Sequence, residues 1–211
     1  MNAHVQGREG AATRIALLEL REERRLIEEG YSLLDEKRLL LAAEIRGELG
    51  RWRAARERFR TCEARARARL GDAVARHGLD ELAVYPPVSL AEDGVSSARR
   101  RLFGLELVDA TWRGGPESAR HAATPLNPSP EARACAEAFR LWLPAILALA
   151  ASARNLRVLL REYVSTERRA RAIENVLLPE VNQTLRRVEE QLEGADQEEL
   201  ARLRARRERP P

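Results

Sequence analysis

Few residues in this chain of 211 are of the types that do covalent chemistry, and those few stand apart. The histidines are His4, His77 and His121. A zinc or acid–base centre wants such residues at a fixed helical or strand spacing, as in HExxH, and none of the three has such a neighbour. Cys62 and Cys135 are too few for a disulfide framework or a metal set. Cys62 falls on an apolar stripe, where a thiol packs as a small hydrophobe rather than reacting. Gly114-Gly115 lacks the Lys and Ser/Thr that a phosphate loop needs. The many carboxylates sit among arginines at three- and four-residue spacings, which is how surface ion pairs on helices are written. Arg99-Arg100-Arg101 is the densest basic run. A nucleic-acid site would set aromatic side chains among the basic ones. Only Phe103 is near, and Glu106 and Asp109 follow, so the run reads as a solvated loop or a protein contact. The expectation is no catalytic residue, no cofactor, no metal and no nucleic-acid partner.

What the chain does have is two long helical patterns, from about Thr13 to His77 and from about Pro130 to Arg207. Charged residues make up 33% and aromatics 4%, so each helix has one stripe to bury and little more. A helix over the first segment would be roughly 95 Å long at 1.5 Å per residue. Thr13 is a good N-cap. Leu20, Ile27, Leu34 and Leu41 repeat every seven residues, and the seam continues through Ile45, Trp52 and Phe59. Gly30, Gly47, Gly50 and Gly71 interrupt the helix, and His77-Gly78 reads as its end. The second helix opens at Ser129-Pro130-Glu131, with Ser as N-cap and Pro in the favoured first position. Its stripe includes Ile146, Leu149, Leu156, Leu160, Tyr163, Leu177, Val181 and Val188. Pro144 and Pro179 should kink or locally break it, and Gly194 could interrupt it again.

Between the helices the style changes. Pro86-Pro87 blocks helix and Glu92-Asp93-Gly94 signals a turn. Leu102 to Trp112 alternates in period two, with Leu105, Leu107 and Asp109 on one face, and Val84 to Leu90 is its candidate partner strand. Thr124 to Pro130 reads as an extended linker. The fold class expected is all-α dominated, a long antiparallel two-helix coiled coil with a small irregular or β-hairpin middle. The organisation is a disordered start at 1–12, a helix at 13–77, a middle at 78–129, a kinked helix at 130–207 and a tail at 208–211, in a single elongated domain. With the inner ends aligned, Leu20 should lie near Val188, Ile27 near Val181, Ile45 near Tyr163 and Phe59 near Leu149. The start of the chain lacks an apolar run, and Leu141 to Ala153 is short of the ~20 residues that cross a bilayer. A soluble cytoplasmic protein with no direct membrane insertion is therefore expected. On composition alone it could be a self-associating coiled-coil adaptor or structural protein.

Specific residues on the arms narrow this. Thr13-Arg14, Leu17-Leu18, Leu20-Arg21, Gly30, Leu33-Leu34, Lys37-Arg38 and Leu41 resemble the start of the D subunit of the V-type and A-type rotary ATPases. Lys37, the sole lysine, falls on the family's lysine. Thr166, Arg168-Arg169, Ala172-Ile173-Glu174, Val176 and Leu178-Pro179 are similar to its C-terminal segment, although Ala170-Arg171 stands where the family has Val-Asn. The resemblance implies a non-catalytic central rotor shaft. It would carry torque between the catalytic ring and the membrane ion-translocating rotor, and so couple ATP synthesis or hydrolysis to proton or sodium transport. It also implies partners, namely the catalytic (A) and regulatory (B) ring subunits, the F subunit of the rotor and the C/d socket subunit. The candidate ring contacts are Thr13, Arg14, Lys37, Arg38, Arg168, Arg169 and Pro179, and the complex would place the chain peripheral to a membrane.

Overall fold

The computed structural model describes residues 13–83, 94–113 and 129–207. The expectations for the first twelve residues, for the Val84–Leu90 strand, for the proline-rich linker up to Pro128 and for the tail lie outside them. Helix α1 spans Arg14–Ala83. Strands β1 (Val95–Leu102) and β2 (Leu105–Trp112) follow. Helix α2 spans Pro130–Ala172, a π-helical turn covers Ile173–Leu177, and α3 runs Leu178–Arg207. The all-α character, the two long helical arms and the small hairpin between them are as the sequence led us to expect. The chain divides into two compact units, one formed by the chain up to Leu40 and from Val164 onward, the other by Leu41–Tyr163.

In the terminal unit the arms run antiparallel. Arg14 Nη2 donates to Asp196 Oδ1 at 3.4 Å, and Arg21 Nη2 donates to Glu189 Oε1 at 2.8 Å. Seven residues forward on one arm match seven back on the other, which is the heptad step of paired helices. The Arg21–Glu189 bond joins the neighbours of Leu20 and Val188, in the expected register. Thr166, Ala170 and Leu185 are buried here, while Leu20, Ile27, Leu34, Val181 and Val188 are half-buried.

The π turn lies immediately before Pro179. Proline has no N–H, and its ring crowds the carbonyl four residues back, that of Asn175. The helix answers by widening rather than breaking, with the Leu178 N–H reaching back five residues to the Ile173 carbonyl. The Glu174 carbonyl thereby loses its usual helical donor, and the next N–H it could use belongs to proline. The turn is exposed, so water can serve that carbonyl. Pro144 lies within α2, which continues on both sides of it, and α3 runs through Gly194 without interruption.

In the central unit, α1 and α2 also run antiparallel. The Phe59 and Trp142 rings meet at 5.5 Å between centroids. That contact is seven residues, or about two helical turns, along α2 from the expected neighbour Leu149. Gly78 has φ 73° and ψ 166°, a conformation that favours glycine. It ends the main run of α1 where the sequence placed the stop. The last turn to Ala83 lies beyond it. The buried His77 ring has Nε2 2.6 Å from Ser129 Oγ, and that same Oγ accepts the Ala132 N–H at 3.0 Å as the cap of α2. The end of α1 and the start of α2 are thus joined.

The hairpin differs from the expected one. Leu102 to Trp112 is not a single strand. Phe103 (φ 50°) and Gly104 (φ 79°) both take positive φ and form a two-residue turn. Strand β1 is therefore Val95–Leu102 and contains the Arg99-Arg100-Arg101 run. The period-two signal missed β1 because most of its side chains are exposed and its large apolar residues, Val95 and Leu102, stand only at its ends. On β2 Leu105 and Leu107 turn inward as expected, but Asp109, expected on the same face, is exposed, and beyond Leu107 it is Val108, Ala110 and Trp112 that are half-buried. Leu41, Leu107 and Leu159 form a fully buried cluster, packed by Ile45, Leu102, Leu105, Val158 and Tyr163. Ile45 and Tyr163 thus share one core, as the expected register requires.

The buried line of α2 in this unit runs through Ser152, Asn155 and Leu159, and Leu160 is 48% exposed. Polar side chains can lie there because their bonds are made: the Ser152 hydroxyl donates to the Leu149 carbonyl, and Asn155 bonds β2. Across α2, the π turn and α3, an 18-residue window reaches a mean hydropathy of 1.5, longer than the apolar run noted above. By length and composition this is one helix able to cross a membrane, and only 6% of that window is buried among the described residues. Leu159→Ala should cost about 2–5 kcal/mol in chemical denaturation, whereas Leu160→Ala should stay within about 0.5 kcal/mol.

Candidate partner-contact surface of the terminal arms

The residues singled out on the arms fall into two groups. Thr13, Arg14 and Arg38 are engaged within the chain. Thr13 Oγ1 accepts the Ala16 N–H at 3.1 Å and its carbonyl accepts the Leu17 N–H at 3.0 Å, so Thr13 caps α1. Arg38 Nη1 donates to Glu167 Oε2 at 2.8 Å across the arms, and Arg38 Nη2 bonds Asp35 one turn back. Lys37 is half-buried. Arg168, Arg169 and Pro179 form the second group. All three are exposed, and the two arginines make no ion pair among the described residues. Leu177, read as a seam residue, is 42% exposed on the π turn beside Val176 at 49%. The widened turn changes the phase of the helix there and presents both side chains outward.

Glu167 is the electrostatic centre of this unit. Its carboxyl is held below the ordinary value of 4.5 against the opposing effect of burial. The Arg38 guanidinium does this first, by its hydrogen bond, and Arg171 on the next turn assists at 2.9 Å. The sequence does not single out Glu167. The signal available was a carboxylate four residues before Arg171, which by itself marks any helical surface pair. Only the antiparallel register brings Arg38 to it.

A second apolar line on α1 is also invisible to the seam pattern. Ile15, Leu18, Leu26, Leu33 and Leu40 are between 44% and 71% exposed. At 3.6 residues per turn these five share one face, turned well away from the Leu20–Ile27–Leu34 seam. They are accessible apolar surface next to charged residues, which suits contact with other protein rather than chemistry.

Among the described residues no cluster of His, Cys, Asp and Glu could hold a metal ion. Burial pushes the Cys135 thiol up, away from the reactive thiolate. In the central unit, a cavity of about 330 Å³ is lined by alanines with Glu48, Arg51, Arg58 and Asp109. The carboxylate of Glu48 there is held by Arg51 at 2.6 Å.

Known proteins resemble this chain along almost its whole length. Residues 16–208 match the sequence family described as the D subunit of ATP synthase. The V-type ATP synthase D subunit of Anaeromyxobacter dehalogenans (strain 2CP-C) is 30% identical over 211 residues, covering 95% of this chain and 97% of that protein. The V-type ATP synthase D subunit of Thermus thermophilus is 28% identical, over 91% of this chain and 85% of its own length. The A-type ATP synthase D subunit of Thermococcus sibiricus is 26% identical, over 91% and 90%.

The Arg38–Glu167 pair gives a pH dependence of definite sign. Because the folded carboxyl lies below 4.5, its contribution is full above that value and is lost as pH falls through the lowered one. Glu167→Gln should therefore lower the urea midpoint at neutral pH. The gap to the unaltered chain should close as the pH is taken below the ordinary glutamate range.

Proposed function

This chain belongs to the ATP synthase D-subunit family, and on that premise we propose that it is the central rotor stalk subunit of a V/A-type rotary ATPase or ATP synthase. The observation that carries the proposal is the extent of the match. It spans residues 16–208, taking in both helical arms and the segment between them, rather than one motif on one helix. The function is mechanical. The subunit carries torque between the catalytic ring and the membrane ion-translocating rotor and contributes no catalytic residue. It thereby couples ATP synthesis or hydrolysis to proton or sodium transport.

The geometry suits that work. A stalk under torque fails if its helices slide past each other. In the terminal unit the arms are locked by a half-buried apolar seam and by cross-arm bonds at Arg14–Asp196, Arg21–Glu189 and Arg38–Glu167. The two exposed pairs add little stability each and the part-buried Arg38–Glu167 pair adds more, but all three oppose axial slip because a one-turn shift breaks them together.

The A and B ring subunits are the proposed partners of the terminal arms. Arg168, Arg169 and Pro179, with Val176 and Leu177, are their contact candidates. Arg14 and Arg38 serve the arms' own pairing, with Thr13 as the cap. The F subunit of the rotor and the C/d socket subunit are the proposed partners of the central unit. The complex sets the chain on the cytoplasmic face, peripheral to the membrane.

Asymmetry is the second requirement, since a rotor must present different faces to successive ring positions. The π turn before Pro179 supplies a local one. Pro179→Ala restores the missing N–H and the ordinary helical register. In the complex reconstituted with its ring and membrane subunits, it should lower ion pumping per ATP hydrolysed while ring assembly persists. Unchanged coupling would count against this role for the π turn. Failure of the unaltered chain to co-purify with the ring subunits would sink the stalk assignment itself.

A further inference from the structure

The two-stranded hairpin has two outer edges, and the structure treats them differently. The register pairs Arg99 with Val108. The Val108 N–H donates to Asn155 Oδ1 at 2.9 Å, and Asn155 Nδ2 donates to the Val108 carbonyl at 2.9 Å. Val108 therefore turns both backbone groups away from β1. Asn155, 2% exposed, satisfies them as a neighbouring strand would. Arg154 Nη1 donates to the outward Glu106 carbonyl at 3.1 Å. The edge of β2 is closed by α2.

The same alternation fixes the other edge. If Arg99–Val108 is a pair without mutual backbone bonds, then Val95, Ser97, Arg99 and Arg101 turn their N–H and C=O groups outward from β1. All four residues are exposed, and among the described residues no backbone or side-chain group bonds to that edge. An open edge is a template for another strand. A second copy of this chain is a poor occupant, because antiparallel pairing of β1 with itself sets arginine runs against each other. Arg99 and Arg101 project from the same face of the sheet, two residues apart. Arg99 meets Glu106 at 3.2 Å with both side chains largely exposed, and Arg101 makes no ion pair among the described residues. Arg100, on the opposite face, is held by Glu44 at 2.6 Å, which ties β1 to α1.

We propose that the outer edge of β1 is a strand-addition site for an extended acidic segment of a partner protein. Backbone bonds to Val95, Ser97, Arg99 and Arg101 supply the pairing, and two carboxylates spaced two residues apart meet Arg99 and Arg101. The inference goes beyond the stalk role, uses only the central unit, and is tested on the isolated full-length chain.

The test is residue-resolved amide exchange by NMR, with a short peptide of alternating Thr and Glu as the probe and its Lys-for-Glu counterpart as the control. At about 1 mM of the Glu peptide, exchange at Val95, Ser97, Arg99 and Arg101 should slow about tenfold. Ser96, Ala98 and Arg100, whose N–H groups already face β2, should change little. The Lys peptide should have no effect. Ser97→Pro should abolish the slowing, because it removes an outward N–H and leaves the β1–β2 ladder intact. The proposal is overturned by edge amides already slow in the free chain, by slowing that does not alternate, by no slowing at all, or by an equal response to the Lys peptide.

Discussion

A helix written mostly in arginine, glutamate and alanine, with one apolar stripe, cannot cover that stripe by itself. Everything in this protein follows from the need of each long arm for another. With 4% aromatics there is no broad core to fall back on, and the fully buried large side chains among the described residues are Leu41, Leu107 and Leu159. A thin seam also means that register matters more than volume. One turn of slip would leave the leucines as well covered as before but would separate Arg21 from Glu189 and Arg38 from Glu167. The apolar residues supply the attraction between the arms, and the charged ones choose among its alignments. The same division appears in the central unit, where the Phe59–Trp142 ring contact and the His77–Ser129 bond fix positions along arms that leucines alone would leave free to slide.

Two departures from regular helix lie on the arms, and both have local chemical causes. Gly78 kinks the backbone where the main run of α1 ends, at a φ that side chains resist. Pro179 takes away one donor, and the preceding turn widens to keep the helix going. The second has the larger consequence. A π turn changes which residues face outward, and Val176, Leu177 and Pro179 emerge together on the surface. A defect in hydrogen bonding thus becomes an apolar surface patch within the C-terminal segment that resembles the D-subunit family.

The hairpin is held less by its own two strands than by the helices beneath it. A two-stranded ribbon in water is marginal. This one drives Leu102, Leu105 and Leu107 into the gap between α1 and α2 and is pinned by Asn155 on one strand and Glu44 on the other. The Arg100 guanidinium also draws the Glu44 carboxyl below its ordinary range, with Arg51 assisting against the effect of burial. Buried Asn155, which composition would place on a surface, is the residue that closes the β2 edge of the sheet.

Composition and periodicity determined that the chain is dominated by two long helices with a seam on each and placed their main boundaries; the likeness to a rotary-ATPase component rests on particular residues, such as Thr13-Arg14, Lys37-Arg38 and Leu178-Pro179, and not on the pattern. Those features are legible because they are local. A cap, a heptad or a helix-ending glycine is written within a few residues. The position of β1 was not legible, because an exposed basic strand has no apolar alternation to read. Asn155, Glu167 and the exposed line from Ile15 to Leu40 were equally hidden. An asparagine in a helix, a glutamate among arginines and a leucine off the seam look ordinary until the partner across the fold is known. Only the tertiary structure decided those, because the hydrogen bonds and ion pairs that give such residues a role join positions far apart in the chain, and no local pattern encodes which of them meet.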